Sequence, residues 1–279
     1  MPISEVGGQG STPAAAEPST AAAFFDVDNT FMRGASLFHL ARGMRQRRLL
    51  SYRDLAQFAW QQVKFIARGE HTVNLEEVRQ RALSFVAGYT VADIRQIGEE
   101  VYDEFMDSKI WPGTKQLSAD HLNNDQQVWL VTATPVEIAE VIAARLGVTG
   151  GLGTVAEHVD GVYTGQLTGQ VLHGEAKAAA VQALAAEHGF DLSISYAYSD
   201  SANDIPMLSL VGNPFAINPD LKLRIYAEAH GWEVRDFRTA GRNTKRAIQG
   251  FAGAGALYGG WRAWRRLRGR RSIGQFEQE

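Results

Sequence analysis

The sequence predicts an α/β fold, a doubly wound parallel sheet whose first strand is followed by an inserted block of helices. Three observations predict it. A short apolar run opened by Phe24 and Phe25 ends in Asp26-Val27-Asp28-Asn29-Thr30. Helical periodicity then runs from Leu37 to Phe105 with no strand between. From Trp111-Pro112-Gly113 onward, strand-like and helix-like segments alternate, as in a sheet with helices on both faces.

Residues 1–21 are small, polar and rich in Pro and Gly, so a disordered leader is expected. They lack the basic start and apolar middle of a secretory signal, and a cytoplasmic protein is expected. Order should begin at Ala22, with a buried strand that delivers acidic residues to its C-terminal end. Leu37, Leu40 and Met44 then recur at helical spacing. So do Leu55, Phe58, Ala59, Val63 and Ile66; Leu75, Val78, Ala82 and Phe85; and Ile94, Ile97, Val101 and Phe105. Four such stripes suggest a helical bundle inserted after the first strand.

Beyond it, Gln127–Val131 reads as a buried strand and 135–146 as a helix closed by Gly147. A short strand is expected at 152–155 and a hairpin over 159–171, with Asp160-Gly161 at a turn. A helix over 175–188 ends at Gly189. Strands are expected at 195–198, 215–217 and 232–234. The domain reading is therefore 22–32 with 108–238 as the core, 33–107 as a helical cap and 239–279 as a tail.

Composition narrows the function classes. A chain of 279 residues with 45% hydrophobic content is neither disordered throughout nor too small for a large core. No uncharged apolar stretch reaches 18 residues, which gives no support for a spanning helix. Cysteine is absent, excluding disulfides, thiolate nucleophiles and thiolate metal sites. Residues 239–279 carry nine Lys/Arg and two Glu, a net +7, so the overall charge of -3 leaves -10 on the preceding 238 residues. Whole-chain charge gives no case for nucleic acid, and none is expected as a partner.

Four elements fall at strand ends or helix starts. Asp26 and Asp28 leave their strand on one side. Two carboxylates there repel unless a cation intervenes or one is protonated, and a hard ion such as Mg²⁺ suits oxygen ligands. An Asp-rich turn is the bland reading. Thr132 follows the second strand, where its hydroxyl and nearby N–H groups suit a phosphate oxygen; capping of the next helix by Thr132 or Thr134 competes. Lys177 sits in a first helical turn, unfavourable for the helix dipole unless an anion is nearby. Ser199-Asp200-Ser201-Ala202-Asn203-Asp204 places two more carboxylates after a strand, where open α/β sheets bind ligands.

In this order the motifs resemble those of haloacid dehalogenase-like (HAD) phosphohydrolases, over about residues 22–238. The resemblance is greatest to subfamily IB, the branch of the phosphoserine phosphatases. It implies a Rossmann-like core with a helical cap and a Mg²⁺-dependent phosphatase acting on a small phosphomonoester. Asp26 would be the nucleophile and Asp28 the acid and base. Thr132, Lys177 and Asn203 would hold the phosphoryl group. Asp26, Asp28 through its backbone carbonyl, and Asp200 would ligate the metal, with Asp204 supporting it.

The sequence departs from the family pattern in places. Ser199 replaces the usual Gly. Ala35 stands where phosphoserine phosphatases usually carry a Glu for the substrate's amino group, which argues against phosphoserine as substrate. Arg33 and Arg81 are candidates for binding an acidic substrate group, with Arg79 beside them. In the tail, the aromatic and basic residues over 247–271 suit a peripheral anchor on anionic membrane at the inner face. That leaves open a membrane-proximal phosphatase of lipid phosphates. A regulatory protein that keeps the fold but acts by binding, and phosphotransfer to an alcohol, are further alternatives. No oligomeric state is implied.

Overall fold

The computed structural model describes residues 20–48 and 86–238. The expected stripes at 55–66 and 75–85, Arg79, Arg81, the tail from 239 and residues 1–19 of the leader lie outside the described residues.

The sheet is built outward from β1 (Ala22–Asp26), whose five residues are all buried. Its neighbours are β2 (Gln127–Pro135) and β6 (Tyr196–Ser199), both parallel to it. Beyond them lie β3 (Gly150–Thr154) on one side, and β7 (Asn213–Ile217) and β8 (Glu233–Arg235) on the other, giving the order β3-β2-β1-β6-β7-β8. A strand covered on both faces reads as an unbroken apolar run, which is why Ala22-Ala-Phe-Phe25 shows no alternation. The alternation is spatial: Ala23 and Phe25 join one buried cluster, and Ala22 and Phe24 the other.

Helices cover both faces. Val181 and Leu184 of α5 (Glu175–His188), Met207 and Leu208 of α6 (Ile205–Leu208) and Leu223 of α7 (Leu221–Ala229) share the cluster of Phe24. On the Phe25 face lie α3 (Pro112–Asn123) and α4 (Val136–Leu146), the latter closed by left-handed Gly147. Phe25 stacks on Tyr198 with 4.2 Å between ring centroids, and His121 of α3 bonds the Tyr198 hydroxyl at 2.7 Å.

Two described helices belong to the expected insertion, α1 (Ser36–Gln46) and α2 (Val91–Val101). A side chain at Gly43 would collide with Val101, so glycine is what lets α1 lie against α2. Ile94, Ile97 and Val101 in turn join the cluster of Ile138, Val141 and Ile142 on α4. Arg145 adds a bidentate pair to Asp103 at 2.9 Å. The hairpin, β4 (Ala156–Val159) and β5 (Val162–Leu167), forms a separate antiparallel pair and touches the insertion at Thr90.

One boundary differs in a way that affects the site. The sequence suggests that the second strand stops at Val131, but β2 continues to Pro135. Its register shifts after Val131, and pairing with β3 resumes at Pro135 opposite Thr154. The Thr154 hydroxyl bonds the Ala133 carbonyl at 2.7 Å, which holds the Thr132–Thr134 stretch extended.

Candidate active site

All the acidic motifs gather at the C-terminal edge of β1 and β6. The chain goes from β1 to β2 and β3 on one side and later returns to β6 on the other, and a strand-order reversal of this kind opens a crevice at the strand ends. Asp26 is the last residue of β1 and Asp200 follows the last residue of β6.

Asp26 is buried and held from two directions. Its Oδ1 accepts from Lys177 Nζ at 2.6 Å, and its Oδ2 from the Thr30 hydroxyl at 2.9 Å. Lys177 rises from the first turn of α5 beneath the sheet edge and is itself buried. Its ammonium also donates to Asp204 Oδ2 at 2.8 Å. That same oxygen accepts from the Ser199 hydroxyl at 2.7 Å. Ser199, the residue in place of glycine, therefore orients the carboxylate that orients the lysine. Thr30 lies within 3.4 Å of Asp200 Oδ1 as well, so one hydroxyl sits between the carboxylates of the two motifs.

Asp28 is in different surroundings. It is half-buried, and its Oδ1 accepts from both the backbone N–H and the hydroxyl of Ser36 at 2.8 and 2.6 Å. Ser36 opens α1, so the insertion supplies these donors. Its hydroxyl also meets Thr134 at 2.5 Å, and Thr134 bonds Thr132 at 3.2 Å. Thr132 is buried and lies one residue past Val131, the register partner of Asp26.

The charges are out of balance. Burial raises Asp26 to about 7, with Lys177 opposing and Asp204 and Asp28 adding to the rise. Burial raises Asp200 to about 8, reinforced by Asp26 and Asp204. Asp28 is raised by burial, against the Ser36 hydrogen bonds. Burial disfavours the Lys177 charge, but Asp26 and Asp204 outweigh it and keep the ammonium protonated. One ammonium thus serves four carboxylates, those of Asp26, Asp28, Asp200 and Asp204, and the Thr30 hydroxyl has one proton for two of them, Asp26 and Asp200. A hard divalent cation held by two carboxylates and a carbonyl, with water completing its shell, fits this donor set. Among the described residues there is no group of three or more His, Cys, Asp or Glu that could hold a metal ion.

The remaining sequence candidates are placed as follows. Asn203 is exposed, and its backbone N–H bonds Ser201 Oγ at 3.3 Å. The Arg33 guanidinium lies 4.6 Å over the Trp111 ring, where the two connections to the insertion meet. Ala35 is exposed immediately before α1. Thr30 and Ser36 also touch the acidic cluster, and neither is among the sequence candidates for the site. Thr30 lies four residues after Asp26, and that spacing was the signal available for it. No local pattern marks Ser36.

Comparison with known proteins adds five findings. A family model described as haloacid dehalogenase-like hydrolase matches residues 23–209. A Mycobacterium tuberculosis protein named phosphoserine phosphatase is 51% identical over 241 residues, 86% of this chain and 78% of its own. A Streptomyces azureus protein named for inhibition of morphological differentiation is 34% identical over 232 residues, 83% of each chain. Among solved structures, a Bordetella pertussis protein of unknown function superposes with a TM-score of 0.71 at 29% identity, over 78% of this chain and 99% of that one. A phosphoserine phosphatase solved as a phospho-aspartyl intermediate analogue gives 0.54 at 18% identity, over 81% and 99%. At that identity it is a likeness of fold.

Proposed function

Because the chain belongs to the haloacid dehalogenase-like hydrolases and is a phosphatase of that family, we propose that it hydrolyses a small organic phosphomonoester through an aspartyl-phosphate on Asp26. The observation that carries this reading is the Asp26 carboxylate, fixed at the crevice by Lys177 and Thr30 with Asp28 two residues on. A nucleophile needs one oriented oxygen and a neighbouring cation, and Asp26 has both.

In this reading Asp26 attacks phosphorus while Asp28 gives its proton to the leaving alkoxide. The ester O–P bond breaks as the carboxylate O–P bond forms. Asp28, now ionised, takes a proton from the water that attacks the aspartyl-phosphate, releasing phosphate and restoring both carboxyls. Lys177 and Thr132 offset the charge on the phosphoryl oxygens, and Asn203 is exposed at the edge of the same site. Asp26, the Asp28 carbonyl and Asp200 would hold Mg²⁺, with Asp204 keeping Lys177 in place. When bound, the ion supplies charge neutralisation and polarises the phosphoryl group.

Substrate choice is assigned to the insertion. Exposed Ala35 offers no carboxylate to an ammonium group, so phosphoserine is expected to rank low even though a 51% identical relative bears that name. The test is phosphate release from a panel of phosphomonoesters that includes phosphoserine, with Mg²⁺ or EDTA, by wild type and Asp26→Asn. Turnover that needs Mg²⁺ and is lost in Asp26→Asn is expected. Turnover retained by Asp26→Asn would overturn the reading.

A further inference from the structure

The loop from Val27 to Gly34 carries Asp28 and Thr30, and its shape is held from outside. Asn29 has φ 61°, a left-handed conformation that asparagine tolerates better than most residues. Its carbonyl accepts from the Asn218 side-chain amide at 3.2 Å, across 189 residues of sequence. The next carbonyl, that of Thr30, accepts from the buried Thr114 hydroxyl at 2.9 Å. Two consecutive peptide planes of the catalytic loop are thus fixed by side chains from two different elements.

Those two side chains are themselves joined. Asn218 follows β7, is buried and has φ 49°. Its Oδ1 accepts from the Phe237 N–H at 2.7 Å, and its own N–H donates to the Arg235 carbonyl at 2.8 Å. The Phe237 ring lies directly over Gly113, where any Cβ would collide with it, and Gly113 precedes Thr114 on α3. Arg238 Nη2 donates to the Pro219 carbonyl at 3.2 Å, and Asp220 N–H donates to the Asp200 carbonyl at 2.7 Å. The circuit runs Asn29, Asn218, Phe237, Gly113, Thr114, Thr30, and it closes on the loop where it began.

We infer that Asn218 and Thr114 are positioning residues for phosphoryl transfer, clamped together by the Phe237 strap that follows β8. Thr30 bridges Asp26 and Asp200 with one hydroxyl, and Asp28 precedes Asn29. A rotation of the Asn29–Thr30 peptide planes would therefore misplace the nucleophile's hydrogen-bond donor and the acid–base group together. Neither Asn218 nor Thr114 touches the acids, so the effect is on geometry and hence on turnover rather than on substrate capture. The inference rests on the phosphatase reading.

Steady-state kinetics of the full chain with p-nitrophenyl phosphate and Mg²⁺ test it, alongside melting temperatures. Asn218→Gly keeps the left-handed backbone and removes both side-chain bonds. Thr114→Val removes one hydroxyl with almost no change of shape. Each is expected to lower kcat about tenfold, the scale of one lost hydrogen bond expressed at the transition state, with KM within about twofold. Thr114→Ser should restore most of the loss by restoring the donor. The inference is overturned if wild type is active and both variants keep kcat within about twofold. It is equally overturned if kcat losses merely follow the melting temperatures across the set, with Thr114→Ser giving no recovery. Inactive wild type would count instead against the phosphatase reading itself, which the Asp26→Asn comparison decides separately.

Discussion

Asp26 and Asp28 are two residues apart yet belong to different parts of the molecule. Asp26 is held by Lys177 and Thr30, both from the α/β core. Asp28 is held by Ser36, the first residue of the insertion's first helix. In the proposed mechanism the nucleophile would thus be set by the sheet edge, and the acid–base group by whatever positions α1. On that proposal, a shift of the insertion would leave the attacking carboxylate in place and disturb proton delivery, coupling turnover to the position of α1.

Substitutions on the two sides should separate these roles. Asp26→Asn carries the largest expected effect, a loss of kcat of about 10⁴-fold or more, because in the proposed mechanism it removes the group that forms the covalent bond. Lys177→Met comes next, at about 10²–10³-fold, since it would remove the cation proposed to face the phosphoryl oxygens and leave Asp26 and Asp204 without their ammonium partner. Ser36→Ala should cost about tenfold in kcat, on the scale of one charge-assisted hydrogen bond. If Asp28 depends on the insertion, Ser36→Ala should slow both formation and breakdown of the phospho-enzyme in stopped-flow traces. Loss confined to substrate affinity would break the comparison.

The smallest expected effect lies away from the site. Burial holds His121 below its ordinary 6.5, so its neutral form is favoured in the fold. A group of this sign gives stability that is present above pH 6.5 and is lost as pH falls below it. Relative to His121→Gln, which cannot gain the proton, wild-type melting temperature should therefore fall as pH drops below about 6.5, a difference that cancels the opposite contribution of the raised Asp26 and Asp200. An unchanged slope would separate His121 from the acid sensitivity of the Phe25–Tyr198 core.

Much of this arrangement was legible in the sequence. The helix at 175–188 was readable end to end because Gly189 stops it. β1 was readable because acids follow immediately on an apolar run. The candidates Asp26, Asp28, Lys177, Asp200 and Asp204 were visible because each sits at a strand end or a helix start, where a charged residue needs a reason. The extension of β2 to Pro135 was not readable, since a register shift against β3 creates it and no local propensity marks that. Asn218 and Thr114 were invisible for a related reason. Their partners Asn29 and Thr30 are 189 and 84 residues distant, and only the folded chain brings them together.

The proposed mechanism turns on a covalent bond between an Asp26 carboxylate oxygen and phosphorus. It is tested most directly by mixing enzyme with excess substrate and Mg²⁺, quenching in acid within the first turnovers, and mapping phosphorylated peptides by mass spectrometry. One phosphoryl group on the peptide containing Asp26, absent from Asp26→Asn, is the predicted result. Turnover with no phosphoryl group on that peptide, or with one on a different residue, would rule out Asp26 as the nucleophile.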